Sequence, residues 1–272
     1  MALSHATTKS GDAMIIGLDV GGTHTDVVLI GDGCIQRQVK VPTDPSNLFD
    51  SVWTGLDEVT RDINPERLQR IVLSTTLTTN LLVERKFNEP GMIVSSGPGV
   101  DAESFRTGPH YFVVSGSINH RGSEIQTIDE TEIEAISAKL KAEGIRQVGV
   151  VGKFSTRNPI HETQICEILG DDFDYKARGH RLSGNLNFPR RIATAYLNAA
   201  IYPLHKRFYE AVRDSLRQKG LEIPIYVLKA DGGTMSLEAS LDNPGQTMLS
   251  GPAASVMGAL PFSSEHRETL VL

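Results

Sequence analysis

Gly17-Leu18-Asp19-Val20-Gly21-Gly22-Thr23-His24-Thr25-Asp26, running on into Val27-Val28-Leu29-Ile30, is the stretch that decides the fold. The apolar run Met14–Leu18 leads into it as one strand, and Asp26–Ile30 leaves it as another. Adjacent glycines accept backbone angles closed to other residues, so a tight turn at Gly21-Gly22 aims successive N–H groups at one anion. Thr23 and Thr25 add hydroxyl donors, and His24 sits inside the loop. Asp19, at the end of a buried strand, is placed to hold Mg2+ directly or through its waters. Dinucleotide-binding and Walker-type loops open a helix; this one opens a strand, and no Gly-Lys-Ser/Thr follows. The loop reads as a phosphate cradle in a β-hairpin, the competing reading being an ordinary glycine turn.

Outward from the loop, short β-branched runs alternate with helical patterns. Further strands are predicted at Cys34–Lys40, Arg70–Ser74, Met92–Ser95, Val148–Phe154 and Ile225–Lys229. In Pro45–Ile63, Leu48, Val52, Leu56, Val59 and Ile63 share one helix face, with Asp44 as the expected cap and Trp53 as a packing residue. Asp129 and Glu132 have capping-box spacing, and Gly144 stops the stripe Ile133, Ile136, Leu140. The longest helical pattern runs from about Arg191 to Lys219, with a kink expected at Pro203. Ser95 to about Thr127 reads as an irregular excursion with a hairpin of Tyr111–Val114 and Ser117–His120. Such alternation defines an α/β fold.

The 272 residues are 39% hydrophobic and 22% charged with a net charge of −6, so no basic field invites nucleic acid or an anionic membrane surface. Cys34 and Cys166 are far apart in no metal-like spacing, and the eight histidines form no zinc motif. There is no Gly-x-Ser-x-Gly elbow. Residues 1–11 read as a disordered tail rather than a signal peptide, and no apolar run is long enough for a spanning helix, so a cytoplasmic location is expected. Thr269-Leu270-Val271-Leu272 looks like a buried strand just begun, as in a truncated piece of a longer protein.

Three segments together resemble the hydantoinase A/5-oxoprolinase family, which includes acetone and acetophenone carboxylase subunits. The first is Gly17–Asp26. The second, Ser74-Thr75-Thr76-Leu77-Thr78-Thr79-Asn80-Leu81-Leu82-Val83-Glu84-Arg85, is similar to the family's Gly-Thr-Thr-x-x-Thr-Asn-x-x-x-Glu-Arg. The third, Ser250-Gly251-Pro252-Ala253-Ala254-Ser255-Val256-Met257-Gly258-Ala259, is similar to its Ser-Gly-Pro-Ala helix. They occur in the family's order, and the resemblance covers about Met14 to Leu272. Ser74 where the family often has Gly, and Ala254-Ser255 for a frequent Gly-Gly, blur the subfamily.

The resemblance implies an α/β, ribonuclease-H-like lobe of the actin-like/sugar-kinase-like ATPase superfold, a mixed sheet with flanking helices, truncated before the second lobe. It implies an N-terminal domain at 12–188 and the start of a hydantoinase A domain at 189–272. The implied activity is ATP-dependent opening of a cyclic amide through carbonyl phosphorylation, with ATP and Mg2+ and with a second hydantoinase-type subunit or fused domain. Alternatives are a ketone carboxylase subunit, a small-molecule kinase, or an ATP-dependent regulator. Asp19 would hold the metal; Gly21, Gly22, Thr23, His24, Thr25, Ser250 and Gly251 would bind ATP phosphates; Thr75, Thr76, Thr79 and Asn80 would orient the substrate, though Thr also suits a helix N-cap there. Asp231, in a turn after Ile225–Leu228, is a candidate base or part of a plain Asp-Gly hairpin. Arg190 and Arg191 read as solvated helix-start charges, with a carboxylate clamp as the alternative.

Overall fold

Ile16, Leu18 and Val20 alternate with Ile15, Gly17 and Asp19, and in the computed structural model, which describes residues 13–260, the first set is buried and the second half-buried. This strand, β1 (Met14–Val20), opens an antiparallel meander with β2 (His24–Gly31) and β3 (Cys34–Pro42). Asp32 and Gly33 both take positive φ, as a two-residue hairpin turn demands. Helix α1 (Leu48–Thr60) buries Leu48, Val52, Leu56 and Val59. A Cβ at Gly55 would lie 2.6 Å from Val27 Cγ2, so this glycine allows the helix to approach β2 closely. The helix starts three residues after the expected Pro45: Asn47 caps it, while Asp44 accepts from the Ser46 amide at 2.8 Å and closes the preceding turn. Trp53 stacks on Phe49, in keeping with a packing role. Strand β4 (Leu68–Thr75) then pairs parallel to β1, and α2 (Leu77–Val83) follows at once.

The next segment builds a second sheet. Strands β5 (Gly91–Ser95) and β6 (Tyr111–Val114) pair in parallel, and β7 (Ser117–Ile118) pairs with β8 (Glu124–Gln126). The expected hairpin is therefore absent: Tyr111–Val114 finds its partner nineteen residues earlier, because its buried ends Tyr111 and Val114 belong to a parallel core. Helix α3 (Glu130–Ala142) is capped by Asp129, but Glu132 turns away from the box to accept from the Ser115 amide and hydroxyl. Gly144, at φ 74°, ends it. Strand β9 (Gln147–Gly152), α4 (Ile160–Leu169), β10 (Tyr175–Arg178) and α5 (Gly179–Leu182) complete the sheet, in the order β10-β9-β5-β6. The long helix α6 (Phe188–Gln218) carries Pro203 inside it. After it come β11 (Ile225–Leu228), β12 (Thr234–Ser236), α7 (Leu237–Asp242) and α8 (Ser250–Ala259).

Strands β11 and β12 return to the first sheet, giving the order β12-β11-β4-β1-β2-β3. The described residues thus divide into two compact units, one of residues 13–84, 204–241 and 246–260, the other of 85–203 and 242–245. The sequence-based partition at 188/189 does not coincide with these units, because contacts group distant strands that chain order separates. Each unit has its own apolar core: Leu18, Val27, Leu56, Leu73, Phe208 and Val227 in the first, Ile93, Ile133, Leu140, Val150, Ile165 and Phe173 in the second. The tail expected at 1–11 and the strand expected at Thr269–Leu272 lie outside the described residues. Among the described residues no helix is long and apolar enough to cross a membrane.

His205, fully buried in the first unit, gives a pH signature. Ser240 Oγ donates to the Leu237 carbonyl, so it accepts from His205 Nε2, which therefore carries the proton and leaves Nδ1 bare and without a partner. Burial lowers its pKa from 6.5 to about 4. The unfolded chain takes up this proton below its higher pKa and the folded chain does not, so stability falls as pH drops through the window between them. The expected loss is about 3 kcal/mol between neutrality and pH ~4. Urea denaturation across that range should show it in the wild type and much less in His205→Gln.

Candidate functional site

The site lies in the first unit, where the parallel strands β1 and β4 end side by side with Asp19 opposite Ser74 and Val20 opposite Thr75. One carbonyl ties the two ends together: Val20 O accepts from Thr75 Oγ1 at 2.9 Å and from the Thr76 amide at 3.2 Å. Thr75 Oγ1 also accepts from the Leu77 amide at 3.1 Å, which starts α2. The hairpin turn is closed by the Gly21 amide on His24 O at 2.9 Å and braced by the Thr43 amide on Thr23 O at 2.9 Å. Thr25 Oγ1 lies 2.8 Å from Thr43 Oγ1.

The turn uses its glycines for closeness rather than for unusual torsions. Neither Gly21 nor Gly22 has a positive φ, contrary to the expectation from sequence. A Cβ on Gly21 would meet His24 O at 2.9 Å, and one on Gly22 would meet Asn80 Nδ2 at 3.1 Å. Gly22, Thr23 and His24 are exposed, and the amides of Gly22 and Thr23 make no hydrogen bond among the described residues. Two free N–H groups on an exposed bend are donors of the kind an anion requires.

Helix α8 adds a third edge. The Leu249 amide donates to Thr79 Oγ1 at 3.1 Å, Ser250 Oγ donates to the Thr75 carbonyl at 3.3 Å, and a Cβ on Gly251 would sit 3.0 Å from Thr76 Cγ2. Leu249 takes a left-handed φ of 63°, a strained geometry for a leucine that turns the chain into the helix. Gly21, Gly22, Thr75, Thr76, Thr79, Asn80, Ser250 and Gly251 are thus gathered at one place.

The roles within this cluster differ from the sequence expectation. Thr25 and Thr75 are fully buried with their hydroxyls committed to the fold, and the Thr79 and Ser250 hydroxyls join α2 and β4 to the start of α8. They shape the cradle rather than offer free donors. His24 leans on Thr23 Oγ1 at 3.2 Å and is exposed. What remains for a ligand is the Gly22 and Thr23 amides, the Thr76 hydroxyl, the Asn80 amide and the Asp19 carboxylate. Thr43 was missed by sequence reading because its hydroxyl contact with Thr25 spans eighteen residues. Thr78 was missed too; its buried hydroxyl has no partner.

Asp19 carries the charge of the site. Its Oδ1 is buried without a hydrogen-bond partner. Its pKa is raised chiefly by burial, opposed by the Ser74 hydroxyl beside it, raised further by Asp26 and lowered by Lys40. An orphaned, desolvated carboxylate oxygen beside two free amides fits a hard cation that brings its own charge and oxygen ligands. Asp231 differs. It is exposed, paired with Lys229 Nζ at 2.9 Å and bonded to the Gly233 amide at 2.9 Å. The Lys229 hydrogen bond is the main cause of its lowered pKa. A carboxylate held in its charged form is a poor base, so Asp231 is a turn-fixing residue of the β11–β12 hairpin. Accordingly, Asp231→Asn is expected to keep full-length turnover within about threefold of wild type, since only a surface contact changes; steady-state kinetics would check this.

A five-stranded core of order 3-2-1-4-5, antiparallel at one side and parallel at the other, extended by an edge strand and headed by a phosphate-type hairpin, is the ribonuclease-H-like lobe of the actin-like superfold. Residues 15–172 match the profile of the hydantoinase/oxoprolinase N-terminal region, and residues 191–272 match that of hydantoinase/oxoprolinase. The chain belongs to the hydantoinase/oxoprolinase family. It is 25% identical to the acetophenone carboxylase gamma subunit of Aromatoleum aromaticum, covering 92% of this chain and 39% of that one. Its fold is similar to nucleotide-free acetone carboxylase, with a TM-score of 0.79, 19% identity and coverage of 91% and 40% of the two chains. It is also similar to ATP-dependent caprolactamase from Pseudomonas jessenii, with a TM-score of 0.74, 21% identity and coverage of 92% and 41%. The chain therefore spans about two fifths of the length of these proteins.

Proposed function

We propose that this chain is the nucleotide-handling part of an enzyme that uses ATP to open a cyclic amide of the hydantoin or 5-oxoproline type, working with a second hydantoinase-type subunit or a fused domain. The observation that carries the proposal is the pair of N–H groups at Gly22 and Thr23 that no protein group accepts, in the turn that directly follows the strand carrying the partnerless Asp19 oxygen. An anion that brings a cation with it satisfies both. In this reading the free amides take terminal phosphate oxygens, Asp19 holds Mg2+, and Thr76 and Asn80 contact the transferred group or its acceptor. Mg2+, when bound, neutralises charge on the phosphates.

The lactam carbonyl oxygen takes the γ-phosphoryl group as ADP departs. Water then adds to the activated carbon, the ring C–N bond breaks with a proton passing to nitrogen, and a second water releases phosphate from the acyl phosphate. Positioning and fixed donors carry such a transfer. Ketone carboxylation shares the first step and is the alternative, supported by the similarity to two carboxylases.

The test combines full-length protein and partner subunit with MgATP and, in turn, hydantoin, 5-oxoproline and acetone with bicarbonate. ADP formed together with ring-opened product supports the main reading, and carboxylated product supports the alternative. A phosphorylated sugar in place of either, or turnover indifferent to all of them, would sink both.

A further inference from the structure

Across the first sheet, at the level of Asp19, four polar residues stand in one row. The strand register sets Lys40 of β3 opposite Asp26 of β2, Asp26 opposite Asp19 of β1, and Asp19 opposite Ser74 of β4. Residues directly opposite on neighbouring strands project from the same face, so the four side chains lie side by side. The row runs inward from solvent. The Lys40 and Asp26 side chains are 60% and 48% exposed, Asp19 is half-buried, and Ser74 is buried at 8%.

Partners are present at the outer end of the row and missing at the inner one. Lys40 Nζ lies 3.2 Å from Asp26 Oδ1 and donates to Oδ2 at 3.3 Å, so the Asp26 charge is already answered. Asp19 Oδ1 and Ser74 Oγ are both shut away from water, and neither makes a hydrogen bond. They are near one another, since the Ser74 hydroxyl opposes the rise in pKa that burial causes at Asp19.

Hydroxyls around the same strand ends are otherwise satisfied. Thr25 Oγ1 meets Thr43 Oγ1, Thr75 Oγ1 donates to the Val20 carbonyl, and Ser250 Oγ donates to the Thr75 carbonyl. Thr60 and Ser215 donate to the carbonyl four residues earlier, an outlet that helix geometry provides and an extended strand does not. A buried hydroxyl without a partner weighs against the fold, and so does a buried carboxylate oxygen. Two such oxygens side by side, one of them charged, are relieved together by a single hard cation.

We infer that Ser74 Oγ is a second protein ligand of the divalent cation, shared with the Asp19 carboxylate. This rests on the cation reading proposed above and deepens it by naming another oxygen of the same site. A neutral hydroxyl with one carboxylate is a donor set suited to Mg2+: a loop serine or threonine together with an aspartate holds it in other phosphoryl-transfer proteins, where phosphate oxygens and water fill the remaining positions. Asp26 stays outside the set because Lys40 occupies both of its oxygens.

Manganese provides the probe, because electron paramagnetic resonance tells its bound and free forms apart. The full-length protein is titrated with Mn2+ alone. Wild type should bind it, Asp19→Asn should lose it, and Ser74→Ala should bind it at least about tenfold more weakly, since even a group that only supports a metal ligand is worth that much. Ser74→Cys puts a soft sulfur where the hard oxygen was. The Cd2+ concentration that displaces bound Mn2+ should therefore fall at least about tenfold below the wild-type value. A gain for a soft metal does not arise from damaged folding, and reading displacement at the Mn2+ site keeps Cys34 and Cys166 out of the result. Ser74→Ala binding Mn2+ as wild type does, or Ser74→Cys keeping the wild-type metal preference, would overturn the inference. With Mn2+ bound by wild type and lost in Asp19→Asn, only the Ser74 assignment then fails. Wild type that takes up no Mn2+, or Asp19→Asn that holds it unchanged, overturns the cation reading as well.

Discussion

Asp19→Asn in the full-length protein is expected to lower MgATP turnover by about a hundredfold to a thousandfold, the range for removing one preorganised electrostatic group from a phosphoryl-transfer site, while leaving the fold as stable as wild type or more so. The two halves of this expectation share one cause. Burial raises the pKa of Asp19, Oδ1 has no hydrogen-bond partner, and the Ser74 hydroxyl offsets only part of the desolvation. A carboxyl whose folded pKa lies above its unfolded value favours folding most when protonated. That contribution is present below the unfolded pKa and is lost as pH rises through the folded one. At neutral pH the ionised group therefore weighs against the fold in the absence of a cation. Asparagine keeps the shape and removes the charge. Thermal melting without Mg2+ should give Asp19→Asn a midpoint at or above wild type near neutrality, with the gap closing as pH falls below the raised pKa. A coupled assay on the same protein should give the loss of turnover. Near-wild-type turnover would place the metal elsewhere, and a lowered melting point would show that the carboxylate is satisfied within the fold.

A residue that the fold alone does not favour stands out in sequence, and this is why the hairpin was legible. In the proposed reading Asp19, Gly21, Gly22 and Thr23 serve a site at the expense of local preference, and such departures mark functional stretches. The flanking strands were legible for a different reason: Ile16, Leu18 and Val20, then Val27 and Leu29, alternate with half-buried residues, and a period of two needs no knowledge of distant partners. The convergence of Ser74–Asn80 and Ser250–Gly251 on the hairpin came from family order, since no spacing rule connects residues 175 positions apart.

What sequence could not supply was partnership. Thr25 and Thr75 have the chemistry of phosphate ligands, yet Thr43 and the Val20 carbonyl claim their hydroxyls. Asp231 has the chemistry of a base, yet Lys229 two residues earlier holds it charged. The purpose of the glycines was also misjudged: the pair at 21 and 22 avoids contact with His24 O and Asn80, and the avoided atoms can be named only once the strands are paired. The same limit hides the discontinuous first unit, in which β11 completes a sheet begun two hundred residues earlier.

Arg191 is the sharpest instance, and it yields the largest expected loss of stability. Its place beside Arg190 at a helix start suggests a solvated charge, but only Arg190 is exposed; Arg191 is fully buried among carbonyls. Burial lowers its pKa and the charge of Glu162 raises it, so the two ions depend on each other although Gly152 stands between them. Arg191→Leu is expected to cost about 3–5 kcal/mol, the range for removing one member of a buried charge pair, because it takes the opposite charge away from buried Glu162 and unpairs the Lys153 carbonyl, leaving the Gly152 carbonyl only its bonds from Ser155. Arg191→Lys is expected to recover only part of this, since a single ammonium cannot span carbonyls that the planar guanidinium reaches with two nitrogens. The double variant Arg191→Leu/Glu162→Leu should be less destabilised than the sum of its parts, since neither charge is then left alone. Urea denaturation of these variants, the single Glu162→Leu and the wild type measures all three statements. An Arg191→Leu midpoint within error of wild type would mean that water reaches the pocket and hydrates Glu162.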